Sequence, residues 1–162
     1  VVLSAAGFAH PAAAKPAVTH CVVTVEGAKP SGELVTSAPR CFATIGEALR
    51  SAGLPVVGSG DTPRQMAASG QMATASDYTI GIHYDGFGYT GSSFSVVGSG
   101  CIGGYLNMSS AWNNRVSSTW NGCPKIRHWA GVNMTSISES VYSPGGNLTT
   151  LNNETSSIQY LT

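Results

Sequence analysis

Two hexapeptides hold most of the chemistry this sequence offers, NNRVSS at 113–118 and NNETSS at 152–157. Each supplies amide oxygens, hydroxyls and backbone carbonyls within six positions. A hard cation such as Ca²⁺ gathers oxygens of this kind, six to eight at a time, and needs neither nitrogen nor sulfur. The same residues also close tight turns by bonding to their own backbone, a use that binds nothing. Other chemistry is poorly provided for. His10, His20, His83 and His128 are scattered and no cysteine pair has CxxC spacing, so a zinc site is not expected. His83, Tyr84 and Asp85 are adjacent, but neighbours on a strand point to opposite faces and do not form a cluster on that account. GFGYTG at 86–91 satisfies G-x-G-x-x-G, yet SSFSVV follows, a strand where a dinucleotide site needs a helix. Nucleophile-elbow, HExxH and P-loop patterns are absent from the sequence, and it reads as a non-enzyme.

The elements that must position the two hexapeptides are β-rich. The chain has 162 residues, eight basic against eight acidic, with 10 % charged. That allows one modest domain with a small additional segment and provides no field for nucleic acid or an anionic membrane, so neither is expected as a partner. Residues 1–14, alanine-rich and ending Ala12-Ala13-Ala14, fit the back half of a signal peptide. The protein is therefore expected to be secreted and extracellular, where disulfides are the default. Residues 15–77 read as a small β/α segment and a linker. CVVTVEG from Cys21 has strand character, and CFATIGEALRSAG places Ile45, Ala48, Leu49 and Ala52 at helical spacing before a glycine stop. The stretch up to Asp77 has no sustained period. From residue 78 to 162 the pattern becomes short alternating apolar runs broken by Gly and Asn, an all-β domain.

Four cysteines allow three pairings. Cys21–Cys41 and Cys101–Cys123 are expected, because each pair lies within one sequence unit. Trp112, Trp120 and Trp129 are read as core rather than as a carbohydrate surface. Asn107, Asn133, Asn147 and Asn153 open N-x-S/T sequons, which matter only in a host that glycosylates.

The β domain is internally duplicated. In YDGFGYTG, Tyr84 and Tyr89 can cover a hairpin while Gly91 takes a left-handed backbone angle. RHWAGVNMTS echoes it, with Trp129, Met134 and Ser136 at those places, 45 residues later. The hexapeptides themselves lie 39 apart, so the first unit carries six more residues than the second, placed near GSGCIGG. Two units of some forty residues, each opening with a hairpin and ending in an Asn/Ser turn, predict paired Greek keys packed as a sandwich.

Both motifs resemble signatures of the βγ-crystallin superfamily, NNRVSS and NNETSS its N/D-N/D-x-x-S/T-S calcium pattern and YDGFGYTG its Y-x-x-x-x-F/Y-x-G hairpin. Within it, GGYLNMSSAWNNRVSS and GGNLTTLNNETSS, inside the stretch 78–162 that the resemblance covers, look most like small secreted actinobacterial proteins that include metalloproteinase inhibitors. The resemblance implies calcium ligands from the side chains of Asn114 and Asn153, the carbonyls of Arg115 and Glu154, and the hydroxyls of Ser117 and Ser156. The turns would exchange ligands, two motifs making two sites between them, with a hairpin carbonyl near Gly86 or Gly131 added. Asn113, Ser118, Asn152 and Ser157 would hold the turns through local hydrogen bonds. The expected function is a secreted calcium-binding structural or binding module, with calcium as cofactor. The second expectation is a proteinase inhibitor, its partner a secreted protease or another extracellular protein.

Overall fold

The computed structural model describes residues 17–54 and 77–162. The leader expected over 1–14 and nearly all of the linker lie outside the described residues. The described chain is mainly β, built as two sheets and one short helix.

Residues 78–162 form two successive four-strand units. The first is β4 (Tyr78–Tyr84), β5 (Ser93–Gly98), β6 (Tyr105–Asn107) and β7 (Ser118–Asn121). The second is β8 (Lys125–Trp129), β9 (Ser138–Tyr142), β10 (Gly145–Asn147) and β11 (Ser157–Leu161). In each unit the fourth strand returns beside the first, which is the Greek-key return. The third strand, however, joins the other unit's sheet: β6 pairs with β11, and β10 with β7. The sheets therefore read β10-β7-β4-β5 and β6-β11-β8-β9, the same order twice. Five of the six extra residues of the first unit fall between β5 and β6. Ser93 and Ser138, which open β5 and β9, are 45 apart, whereas Asn107 and Asn147, which close β6 and β10, are 40 apart.

The segment before the linker does more than the sequence implied. β1 (His20–Ala28) runs parallel to β5 from His20↔Ser93 to Thr24↔Val97 and extends that sheet. Its other edge takes β2 (Leu34–Thr36) and β3 (Arg40–Phe42), both antiparallel. Between β2 and β3, Ser37 carries the ladder across the break, its N–H donating to Thr24 O and its Oγ accepting from Thr24 N. What was expected as an appendage is thus continuous with the larger sheet. The reason is shape: β5 would otherwise be an open edge offering unpaired backbone groups.

Helix α1 (Ile45–Ser51) starts where expected. Thr44 Oγ1 accepts from Glu47 N, and Thr44 N donates to the Glu47 carboxylate, a capping box that satisfies orphan donors at both residues. Its apolar stripe of Ile45, Ala48 and Leu49 packs, with Leu54, on Ile82, Tyr84, Val97 and Trp120. The larger sheet is therefore covered on both faces, the second sheet on one side and α1 on the other. That explains why every residue of β5 is buried, serines included. A bulge sorts the side chains. Thr79 pairs with Val97 and Gly81 with Val96, so Ile80 is an extra residue. Ile80 accordingly faces the inter-sheet core while Ile82, two positions on, faces the helix.

Both disulfides form as expected, Cys21–Cys41 across directly paired strands and Cys101–Cys123 within the β domain, from the β5–β6 connection to the β7–β8 connection. Trp112 and Trp120 are buried in the two cores as expected, whereas Trp129 is only half-buried, belongs to neither core and lies under the Arg127 guanidinium.

Candidate cation site between the two turns

Each hexapeptide turn needs a residue in the left-handed region, and Asn supplies it: Asn114 has φ 57° and Asn153 φ 58°. The turns are tied to each other through their backbones. Asn114 N donates to Thr155 O, and Asn153 N to Val116 O, both at 2.9 Å. This reciprocal pair brings the side-chain oxygens together across the repeat. Ser117 Oγ lies 3.1 Å from Asn153 Oδ1, and Ser156 Oγ lies 3.4 Å from Asn114 Oδ1. The backbone oxygen of Asp85, in the first hairpin, is also 3.1 Å from Ser117 Oγ. Each serine at the fifth position of one turn thus meets the asparagine at the second position of the other.

The neighbouring serines act differently. Ser118 Oγ donates to Gly86 O and accepts from Tyr89 N; Ser157 Oγ donates to Gly131 O and accepts from Met134 N. They fasten each turn to its own hairpin. The hairpins repeat down to their backbone angles: Tyr89 and Met134 have φ 65° and 59°, Gly91 and Ser136 φ 78° and 69°. Tyr84 and Tyr89 stack edge to face with ring centroids 5.7 Å apart. At Gly91 the positive φ would strain a side chain, and a Cβ there would press on Asp85 Oδ1.

Several residues that build the site were not assigned to it from the sequence. Asn147 Oδ1 accepts from Gly88 N in the first hairpin, and Asn107 Oδ1 from Asn133 N in the second, both at 2.7 Å. Each exchanged strand thereby pins the opposite hairpin. Their equal placement was visible, as both open N-x-S/T triplets at an offset of 40. Glu139 anchors the approach to the second turn, accepting from Thr149 N, Thr149 Oγ1 and Leu151 N. Partial burial raises its pKa, but the Leu151 and Thr149 donors outweigh that and hold the carboxyl below its usual range. Arg115 does not point its charge at the oxygens. Its guanidinium bonds the Asp85 carboxylate at 2.7 Å and Ala111 O at 2.8 Å, and lies over the Trp112 ring.

The donor set suits a hard cation. It consists of hydroxyl, amide and carbonyl oxygens converging from two turns and a hairpin. Among the described residues no three His, Cys, Asp or Glu side chains gather into a metal-binding group. Of the first-position asparagines expected to hold the turns through local hydrogen bonds, Asn113 does so by its backbone, its N–H donating to Ser109 O, whereas the buried Asn152 Oδ1 has no hydrogen-bond partner among the described residues.

No protein-family model matches the sequence and no curated protein matches it. Among solved structures the chain is similar to a double mutant of a betagamma-crystallin domain from Clostridium beijerinckii, at 19 % identity and a TM-score of 0.41 over 49 % of this chain and 92 % of that one. A betagamma-crystallin from an Archaea shows 15 % identity and 0.41, over 50 % and 95 %. A betagamma-crystallin domain from Flavobacterium johnsoniae shows 23 % and 0.39, over 49 % and 91 %. The fold of residues 78–162 is itself a pair of Greek-key units with exchanged third strands in two sheets. Beyond β4 to β11, β1 to β3 and α1 close one edge and one face of the larger sheet.

Proposed function

We propose that this chain is a calcium-binding βγ-crystallin-type module of the oxidising cell exterior, with no catalytic role. The supporting observation is the crossed pairing of Ser117 with Asn153 and Ser156 with Asn114, which sets two groups of neutral oxygens between the turns. Asn114, Asn153, Ser117 and Ser156 would hold the ions with side-chain oxygens, and Arg115 and Glu154 with backbone carbonyls. The bound ion would supply cross-linking, joining segments that otherwise meet through a few hydrogen bonds. Two disulfides agree with an oxidising compartment, and no described helix is long and apolar enough to cross a membrane.

Neutral ligands place the dissociation constants at about 10⁻⁵ to 10⁻³ M. An ion that binds only the native state stabilises it by about 2.7 kcal/mol at a hundredfold excess over Kd. Thermal unfolding in millimolar calcium is expected several degrees above that in chelator, about 2–4 °C per kcal/mol at this size. Identical melting temperatures in the two conditions would refute the reading.

A second reading, proteinase inhibition, is favoured by Ile102. This side chain is 83 % exposed, beside the Cys101–Cys123 disulfide. Its loop is pinned on the far side, where Gly103 N donates to Tyr160 O and Tyr160 N to Gly104 O. An exposed apolar residue on a braced loop costs little ordering entropy on entering a protease cleft. Titrating secreted metalloproteinases with the full chain and with Ile102→Asp tests it. Inhibition lost in the variant supports the reading, and activity untouched by micromolar wild-type chain removes it.

A further inference from the structure

The two oxygen groups differ in one respect that the hexapeptides alone do not display. In the first unit the third turn residue is Arg115, and the hairpin facing it carries Asp85; the pair closes at 2.7 Å. Asp85 is fully engaged, its Oδ1 accepting from Ser92 N at 2.8 Å and its Oδ2 from Arg115. The backbone oxygen of the same Asp85 belongs to the oxygen group around Ser117. In the second unit, at offsets of 39 and 45, Glu154 and Ala130 stand at the places of Arg115 and Asp85. Glu154 is exposed and makes no ion pair among the described residues. One turn therefore carries an internal cation that neutralises the adjacent carboxylate, and the other a carboxylate with no cation partner.

Resting on the calcium reading above, we infer that Arg115 and Asp85 make the two sites unequal: their ion pair leaves the Ser117–Asn153 site without net charge, and calcium fills the Ser156–Asn114 site first. Arg115 is a positioning residue here. It binds the turn to the hairpin through Asp85 and is held in place by Ala111 O and the Trp112 ring. It also withholds from the ion the carboxylate of Asp85, whose backbone oxygen belongs to the Ser117 group. Releasing that carboxylate adds a full negative charge within several ångströms of a divalent ion, which with the near-aqueous screening of these partly exposed side chains corresponds to roughly tenfold in affinity. Because the Arg115 and Asp85 side chains are 46 % and 24 % exposed, salt should reduce the effect.

Calcium calorimetry on the full chain tests this at low and at moderate ionic strength. Wild type is expected to bind two ions with unequal constants. Arg115→Ala should tighten the weaker step about tenfold and leave the stronger one in place. Asp85→Asn in the Arg115→Ala background should cancel the gain, and Glu154→Arg should weaken the stronger step. Circular dichroism of each variant checks that the fold is kept, and Arg115→Gln repeats the test with less disturbance of the Ala111 contact. Two equal sites in wild type, or a weaker step that Arg115→Ala and Arg115→Gln both leave unchanged or loosen, overturns the inference while the calcium reading stands. No calcium heat in wild type or any variant overturns both.

Discussion

Lowering the pH from 7 to 4 is expected to remove several kcal/mol of stability, because two histidines are fully buried side by side between the sheets. His83 and His128 are 0 % exposed, their rings edge to face with centroids 5.5 Å apart. Their partners are hydroxyls: Thr119 and Tyr160 for His83, Thr155 for His128. His128 Nε2 has no partner. Burial pushes His128 down to about 3, opposed weakly by Glu139, and lowers His83 well below its usual range, with the neighbouring His128 adding to the shift. In the unfolded chain both titrate near 6.5. Above that pH both states bind no proton at these rings and the stability is intact. As pH falls through 6.5 toward the depressed native values, the unfolded state gains protons that the native state refuses, and stability falls by about 1.4 kcal/mol per pH unit per histidine. For His128 alone that amounts to about 3 kcal/mol between pH 6.5 and 4. Glu139 acts in the same direction at lower pH, since its depressed pKa means its contribution is lost as it protonates. Urea unfolding at pH 7, 5.5 and 4 measures the slope, and His128→Gln should flatten it. A stability independent of pH across that range would show the two rings to be solvated or already charged.

Deleting residues 1–76 should prevent the remaining chain from folding as an independent unit. α1 and Leu54 shield Ile82, Tyr84, Val97 and Trp120, all nearly inaccessible to water. β1 contributes Val22 to that layer and Val23 to the inter-sheet core. Each buried aliphatic or aromatic side chain is worth about 1.5–3 kcal/mol, and a domain has only about 5–15 kcal/mol in total. The fragment is expected to aggregate or to give poorly dispersed proton spectra. Leu49→Ala isolates the helix contact, with an expected cost of about 2–5 kcal/mol in the full chain. A soluble, cooperatively melting fragment 77–162 would show that the helix layer is dispensable.

What the sequence made legible was the part governed by local chemistry. Asn114 and Asn153 at left-handed angles, Gly91 and its echo Ser136, and the capping box at Thr44 and Glu47 are each specified within a few residues. Offsets of 45 and 39 were enough to place the additional residues of the first unit. The cysteine pairing followed from proximity in sequence, although Cys21–Cys41 proved to lie on the same sheet as the β domain. The parallel pairing of β1 with β5 was not legible, since it joins residues 73 apart and parallel strands leave no turn between them to read. SFSVVG did carry a trace of it, being apolar or small at every position where a one-faced strand would alternate with large polar residues. The Asp85–Arg115 pair was hidden for a similar reason. Thirty residues separate its members, and only the fold of the hairpin onto the turn brings them together.

The central claim is that each calcium site draws one serine and one asparagine from different turns, and paired variants in calcium calorimetry test it most directly. Ser117→Ala removes one hydroxyl. Asn153→Gly and Asn114→Gly remove one amide each while tolerating the left-handed angle. Ser117→Ala with Asn153→Gly should damage a single site and leave one ion bound. Ser117→Ala with Asn114→Gly, both changes in one turn, should damage both sites and leave none. The reverse outcome, one ion retained when a single turn is damaged twice and none when the two turns are damaged once each, would contradict the crossed arrangement.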